Sequence, residues 1–280
     1  MKYQLLNGEA IDVQSNVLHA SNRGFRYGDG FFESMKVSNG QVLFADLHWK
    51  RLQHACNTLR ISIPTEFTAE VFRAQASRLA KLNEEPNSRI RFQGFRAGSG
   101  RYTPASSVLS WNMVSEPMGN AQYTLNKKGL TIGICRSHTI NPLPQSGFKS
   151  SNSVPYILGG ICASENGWDD CLLLDAEGFI AEGTGSNVFL VQGNTLVTPD
   201  LSNGGVPGVM RTVLLHEAQK LGLEVSQQLV KEEDLLVADE CFLSTATRGI
   251  VWVGAFEKKR YFKKAAEKLV AYLNQKYIHS

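Results

Sequence analysis

Two side chains of this chain have the type and the setting for covalent amine chemistry. Lys149 stands in Gly147-Phe148-Lys149-Ser150-Ser151-Asn152, and Glu182 opens Glu182-Gly183-Thr184-Gly185-Ser186-Asn187-Val188-Phe189. A lysine amine can condense with an aldehyde and can carry a proton to and from carbon, provided desolvation or a nearby cation lowers its pKa. A glutamate can keep a ring nitrogen protonated through a charge-assisted hydrogen bond. Neither residue means much alone: a loop lysine is ordinarily a solvated charge, and a glutamate before Gly-Thr-Gly ordinarily ends a strand. Nucleotide motifs do not account for the glycines. Gly183-Thr184-Gly185 has Val188 where a dinucleotide fingerprint needs its third glycine, and no Gly-x-x-x-x-Gly-Lys-Ser/Thr string occurs.

The strings around the two residues give them weight. Glu-x-Thr-x-x-Asn-Val-Phe at Glu182 and Lys-x-x-Asn at Lys149 resemble the class IV aminotransferase family, the fold type IV pyridoxal-phosphate (PLP) enzymes. That family includes branched-chain aminotransferases, D-amino acid aminotransferases and aminodeoxychorismate lyases. The resemblance implies PLP as cofactor, an electron sink that needs an amine for its aldehyde and an acid for its ring nitrogen. Lys149 is then the catalytic residue that binds the aldehyde, and Glu182 the partner of the ring nitrogen. The resemblance also implies a phosphate cup. Arg51, in Leu47-His48-Trp49-Lys50-Arg51-Leu52, matches a His-x-x-Arg-Leu whose planar guanidinium grips the phosphate. Gly208-Val209-Met210-Arg211 matches Gly-Ile-Thr-Arg, where backbone N–H groups at a helix N-terminus bind the anion; Val209 and Met210 fall at those positions. Met210 replaces the usual threonine, so one hydroxyl donor is missing. Ser244 and Thr245, after a strand from Glu240 to Leu243, are expected to add donors.

On the substrate side, Arg26-Tyr27-Gly28-Asp29-Gly30-Phe31-Phe32-Glu33 resembles the family's Phe/Tyr-Gly-Asp-Gly-x-Phe/Tyr-Glu and implies that Tyr27 and Phe32 face the substrate. The Phe32-Glu33 pair and the string at Glu182 are similar to the aminotransferases. Arg96-Ala97-Gly98-Ser99-Gly100-Arg101-Tyr102 is similar to the lyases' Arg-Gly-x-Gly-x-Arg-Gly-Tyr, and Met210 leans the same way. Arg96, Arg101 and Arg248 are the candidates for holding a substrate carboxylate, each of which could equally be a surface arginine.

Around these residues the chain is ordinary. It has 280 residues, 42% hydrophobic and 20% charged, with a formal net charge of +3. Its longest basic run, Lys258-Lys259-Arg260, is a solvated turn rather than a nucleic-acid patch. The five cysteines are scattered, without a Cys-x-x-Cys pair, which argues against a disulfide framework or a zinc site and for a reducing compartment. The histidines form no metal-ligand spacing. No stretch approaches the ~20 apolar residues of a membrane span, and the N-terminus does not read as a signal peptide, so a soluble, cytoplasmic protein is expected.

The elements that must position the site can be read coarsely. Asn7-Gly8 and Asn39-Gly40 mark hairpins between Tyr3 to Leu6 and Ala10 to Val13, and between Phe31 to Val37 and Gln41 to Leu43. Apolar spacings of three and four predict helices from Asp46, as cap, to Leu59, and from Phe67 to Leu82. Strands are expected at Ser88 to Phe95 and Ser107 to Val114. Beyond Ser115-Glu116-Pro117-Met118-Gly119-Asn120, strands fit Leu130 to Ser137, Cys171 to Leu174, Phe179 to Glu182, Val188 to Gln192 and Thr195 to Thr198. Helices fit Pro155 to Asn166, Gly208 to Leu221 and Lys263 to Lys276. Without clear parallel βαβ units the pattern reads as α+β. The resemblance adds a small N-terminal α/β domain (1–115), a linker (116–122) and a larger PLP-binding pseudo-barrel domain (123–280), with the cofactor in the cleft between the domains.

The leading expectation is a PLP-dependent aminotransferase acting between an amino acid and a 2-oxo acid. The alternative is aminodeoxychorismate lyase, releasing pyruvate and 4-aminobenzoate. Both begin with removal of a Cα proton and differ in whether a leaving group departs. A third reading is a non-catalytic binding protein on the same fold. The resemblance further implies a homodimer with residues of both subunits near each cofactor; no nucleic acid, membrane or metal is expected.

Overall fold

A computed structural model of the protein describes residues 1–15 and 18–279, excepting the side chains of residues 144 and 145. The chain forms two compact units: Met1–Gln122 with Gly147–Asn152, and Tyr123–Ser146 with Ser153–Ser280.

The first unit is an antiparallel sheet covered by helices. Its strands are β1 (Tyr3–Leu6), β2 (Glu9–Asp12), β3 (Gly30–Ser38), β4 (Gln41–Val42), β5 (Ser88–Arg96) and β6 (Leu109–Pro117), in the order β2-β1-β6-β5-β3-β4. Both Asn-Gly pairs have positive φ at each residue, as a tight hairpin turn requires. The helices are α1 (Arg23–Tyr27), α2 (Ala45–Leu59) and α3 (Ala69–Leu82). Thr68 caps α3 by accepting from the Val71 N–H. Asp46 does not cap α2: Phe44 takes that place without a side-chain bond, and Asp46 lies in the first turn, where its charge suits the helix dipole. Alternation along β3 buries Phe31, Met35 and Val37 in one core with Leu52 of α2 and Phe72 and Leu79 of α3, and leaves Phe32 and Ser34 half-buried.

Two boundaries differ from the expected division. Glu116 and Pro117 pair with Arg89 and Ser88, so the start of the expected linker is the end of β6. Gly147–Asn152 belongs with the first unit because it adds to the edge of β3. The Phe32 N–H donates to the Lys149 carbonyl at 2.8 Å, the Ser151 N–H donates to the Gly30 carbonyl at 3.0 Å, and Ser150 bridges Phe31.

The second unit contains β7 (Leu130–Thr139), β8 (Asp170–Leu174), β9 (Ile180–Gly183), β10 (Asn187–Gln192), β11 (Thr195–Pro199), β12 (Glu224–Gln228), β13 (Glu240–Thr245), β14 (Gly249–Phe256) and β15 (Lys259–Arg260). The strand order is β12-β11-β10-β13-β14-β7-β8-β9, with β15 beside β14. Its helices are α4 (Val154–Glu165), α5 (Val209–Lys220), α6 (Glu232–Val237) and α7 (Lys264–Tyr277). Here the reading that parallel βαβ units are lacking is corrected. β7-α4-β8 and β11-α5-β12 each return the chain parallel through a helix, as a parallel connection demands. The sheet buries Ile132, Leu172, Val188, Leu190, Leu243 and Val253.

Candidate active site

In the first unit, Lys149 is held by its backbone on the edge of β3, which brings its side chain to the half-buried Phe32. The Lys149 amine lies 5.2 Å from the centre of the Phe32 ring, and the Arg91 guanidinium lies 4.0 Å from the same centre. Arg91 donates to Gln93 Oε1 at 3.0 Å, and Gln93 Nε2 donates to Ser151 Oγ at 2.8 Å. Asn152 packs against the turn after Tyr27. Gly28 is left-handed there (φ +63°), and a Cβ on it would fall 2.4 Å from Asn152 Oδ1, so the turn requires glycine twice over. The Tyr27 ring sits 5.8 Å from the ring of Tyr102.

Beneath β3 lies a buried polar triad of Glu33, His48 and Arg51. Glu33 accepts from His48 Nδ1 at 2.6 Å and from Arg51 Nε and Nη2 at 2.7 and 2.6 Å. Burial alone would raise the Glu33 carboxyl; the Arg51 charge and these hydrogen bonds overcome it and bring the pKa to about 2. The ionised Glu33 can only accept, so Nδ1 carries the proton. Burial is the main reason that the His48 pKa is lowered, which keeps the ring neutral. Arg51, the expected phosphate group, is thus set in place by a fork-to-fork pair with Glu33.

The substrate arginines part company. Arg96 is buried, and its Nε, Nη1 and Nη2 donate to Asp29 Oδ2, the Arg60 carbonyl and the Leu59 carbonyl at 2.9, 3.0 and 2.6 Å. It caps the C-terminus of α2, so its guanidinium is engaged in structure rather than open to a carboxylate. Arg101 is exposed in the loop between β5 and β6, and Arg248 is exposed in the turn between β13 and β14.

In the second unit, Glu182 lies near the end of β9, only 3% exposed. The Tyr156 hydroxyl of α4 donates to its Oε1 at 2.8 Å, and Asn187 Nδ2 donates to its Oε2 at 3.1 Å. Burial first, then the Glu182 charge and the hydrogen bond to it, raise the Tyr156 phenol, so it stays the donor. Asn187 ties several parts together. Its Nδ2 also donates to the Val206 carbonyl at 2.8 Å, and its backbone pairs with Ser244 across β10 and β13. A Cβ on Gly208, the cap of α5, would lie 1.9 Å from Asn187 Oδ1. Only glycine fits, and α5 therefore begins at Val209 and Met210 with its first-turn N–H groups beside Asn187.

These groups fit PLP. The Ser244 hydroxyl is buried with no hydrogen-bond partner among the described residues, a donor waiting for an acceptor. Val209 and Met210 open a helix whose N-terminus favours an anion. The buried Glu182 carboxylate, fixed by Tyr156 and Asn187, is an acceptor of the type a ring N–H needs. Thr245 Oγ1 accepts from the Arg248 N–H at 3.0 Å, which fixes the hydroxyl while leaving its own hydrogen to donate. The Arg211 side chain turns away and donates to the Pro199 carbonyl and Gln227. Arg91, Tyr156 and Asn187 went unselected in the sequence, although Asn187 lies inside the string that selected Glu182.

Residues 30–256 match the family profile described as Amino-transferase class IV. The chain is 27% identical, over 97% of its length and 94% of the relative's, to the putative branched-chain-amino-acid aminotransferase of Methanocaldococcus jannaschii. It is 28% identical to the aminodeoxychorismate lyase of Bacillus subtilis, over 94% of this chain and 89% of the relative. The solved branched-chain amino acid aminotransferase of Escherichia coli shares its fold, with a TM-score of 0.89 at 22% identity, covering 99% of this chain and 95% of that one.

Proposed function

The chain belongs to the class IV aminotransferase family, and we propose that this PLP-dependent enzyme passes an amino group between an amino acid with an apolar side chain and a 2-oxo acid. The observation that carries the choice of substrate is the Phe32 ring, which gives the Lys149 amine an aromatic neighbour and stands against a guanidinium on Arg91. An apolar side chain suits the ring, and the substrate carboxylate suits Arg91. Arg91 takes precedence over Arg96, whose guanidinium is engaged by Asp29, Leu59 and Arg60; Arg101 and Arg248 are the further candidates. Tyr27 completes the aromatic wall.

When bound, PLP supplies the electron sink that makes the Cα proton removable. Lys149 Nζ takes that proton and returns it. Glu182 would hold a proton at the ring nitrogen, and Tyr156 and Asn187 fix the carboxylate for that task. The N–H groups of Val209 and Met210, the Ser244 hydroxyl and Thr245 would hold the phosphate, and the Arg51 guanidinium would supply charge for it.

A lyase reading has two observations in its favour: Met210 in place of threonine, and the Bacillus relative. The deciding experiment supplies purified enzyme with an amino acid plus a 2-oxo acid, and separately with aminodeoxychorismate. Amino transfer to the 2-oxo acid is expected. Release of pyruvate and 4-aminobenzoate without amino transfer overturns the proposal.

We further infer a homodimer. Val154, Ile157, Leu158 and Ile161 form an exposed apolar stripe along α4, and such a stripe suits a second copy. Among the described residues no helix is long and apolar enough to cross a membrane. Five free cysteines suit the reducing cytoplasm. Sedimentation over a concentration series tests the dimer.

A further inference from the structure

The second unit carries a thiol cluster that the chemistry of Lys149 and Glu182 does not use. Cys135 on β7 and Cys171 on β8 are buried in one small core, and Cys162 of α4 packs against it. Cys171 donates to the Gly159 carbonyl at 3.1 Å, although its thiol also lies within hydrogen-bonding reach of Cys135. Cys135 is different, because donors surround it. The Ser137 hydroxyl lies 3.2 Å from its sulfur, the Cys162 thiol is within hydrogen-bonding reach, and the Ser137 and His138 N–H groups point at it. Burial would raise the Cys135 thiol, but these donors outweigh it and lower the pKa.

A proton acceptor is also present. His138 Nε2 lies 2.7 Å from the Pro155 carbonyl, which can only accept, so Nε2 carries the ring proton. Nδ1 is therefore the lone-pair nitrogen, and it faces both the Ser137 hydroxyl at 3.2 Å and Cys135 Sγ at 3.5 Å. A cavity of about 610 Å³ reaches the cluster, lined by Ser137, Cys162, Asn166, Trp168 and Arg136 among others. At 100° per residue, Pro155, Cys162 and Asn166 share one flank of α4, about a quarter turn or more from the centre of its exposed apolar stripe, with Leu158 the stripe residue nearest to Cys162 at ~40°.

We propose that Cys135 and Cys162 are a peroxide-responsive thiol pair, whose closure into a disulfide draws α4 against β7 and disturbs the hold of Tyr156 on Glu182. The oxidant is a hydroperoxide. His138 Nδ1 takes the Cys135 proton, and the sulfur attacks one peroxide oxygen. The S–O bond forms, the O–O bond breaks, and the departing oxygen leaves with that proton as water or alcohol. The Cys162 sulfur then attacks Cys135. The S–S bond forms, the S–O bond breaks, and hydroxide leaves with the Cys162 proton as water. Two thiols lose two electrons and the peroxide gains them. The coupling follows from α4 itself, which carries Cys162, the Pro155 carbonyl held by His138, and Tyr156.

The holoenzyme is treated with hydrogen peroxide near stoichiometry, quenched and digested without reductant. A peptide joining Cys135 to Cys162 is expected, with three of the five thiols still free. The oxidised enzyme should bind PLP severalfold more weakly and turn over severalfold more slowly, and dithiothreitol should restore both. Cys162→Ser and Cys135→Ser should resist peroxide, whereas Cys171→Ser should still close the link. No linked peptide, a link between other cysteines, or an oxidised enzyme with unchanged PLP affinity and turnover each overturns the proposal; the peptide map of the wild type needs no variant to fold.

Discussion

Glu182 accepts from the Tyr156 hydroxyl and from Asn187 Nδ2, two donors on different elements that aim its carboxylate. Glu182→Gln should therefore leave PLP bound but slow Cα-proton removal roughly a hundredfold, about 3 kcal/mol of barrier. Stopped-flow absorbance with an α-deuterated substrate reads that step; an unchanged rate removes Glu182 from its role. Borohydride should fix the cofactor to Lys149, as peptide mapping would show, and an adduct on another lysine contradicts the assignment. Lys149 and Glu182 could be picked as candidates because their strings are local. Arg91 and Tyr156 were not, because strand alternation and tertiary packing choose what each side chain meets. Arg96 shows the converse error. A guanidinium near a glycine-rich loop looks the same in sequence whether it faces a substrate carboxylate or the carbonyls at a helix end.

At the scale of elements, the start of α5 depends on one missing methyl group. Gly208→Ala would set a Cβ against Asn187 Oδ1 and push Asn187 away from both Val206 and Glu182. A rise of roughly tenfold in the PLP dissociation constant is expected, about 1.4 kcal/mol, measured by titrating apoenzyme. Gly160, exposed within α4 with nothing within 4 Å of its Cβ position, is the contrast. Gly160→Ala should stabilise the protein by about 0.5–1 kcal/mol in urea unfolding, because it restricts the unfolded chain and favours helix. Most helices and strands were legible from apolar spacing and turn residues. β12 was not: Glu224-Val-Ser-Gln-Gln is an edge strand paired only with β11, so no buried face marks it. The parallel crossovers escaped notice because adjacency in a sheet is not written in the spacing of residues along one strand.

For the whole molecule, acid is the informative stress. Glu33 has a folded pKa of about 2 against an ordinary value of 4.5, so the unfolded chain binds its proton more readily than the folded one. The stabilisation is complete above about pH 4.5 and is lost as pH falls toward 2; the span corresponds to roughly 3 kcal/mol. Denaturant midpoints at pH 6, 4.5 and 3 should fall in that order, and Glu33→Gln, already destabilised at pH 6, should fall less. The place of Gly147–Asn152 beside β3 was not legible in the sequence, since a segment that joins a distant strand edge carries no mark of its destination. The order of strands also constrains how the protein is made. β7 completes its pairing only with β8 and with β14, and Leu130 meets Val253, more than a hundred residues downstream. During synthesis one edge of β7 must therefore wait, unpaired and largely apolar, until nearly the whole chain has left the ribosome. Nascent chains stalled before Gly249 should be digested by protease within residues 130–174 and protected there once β14 has emerged.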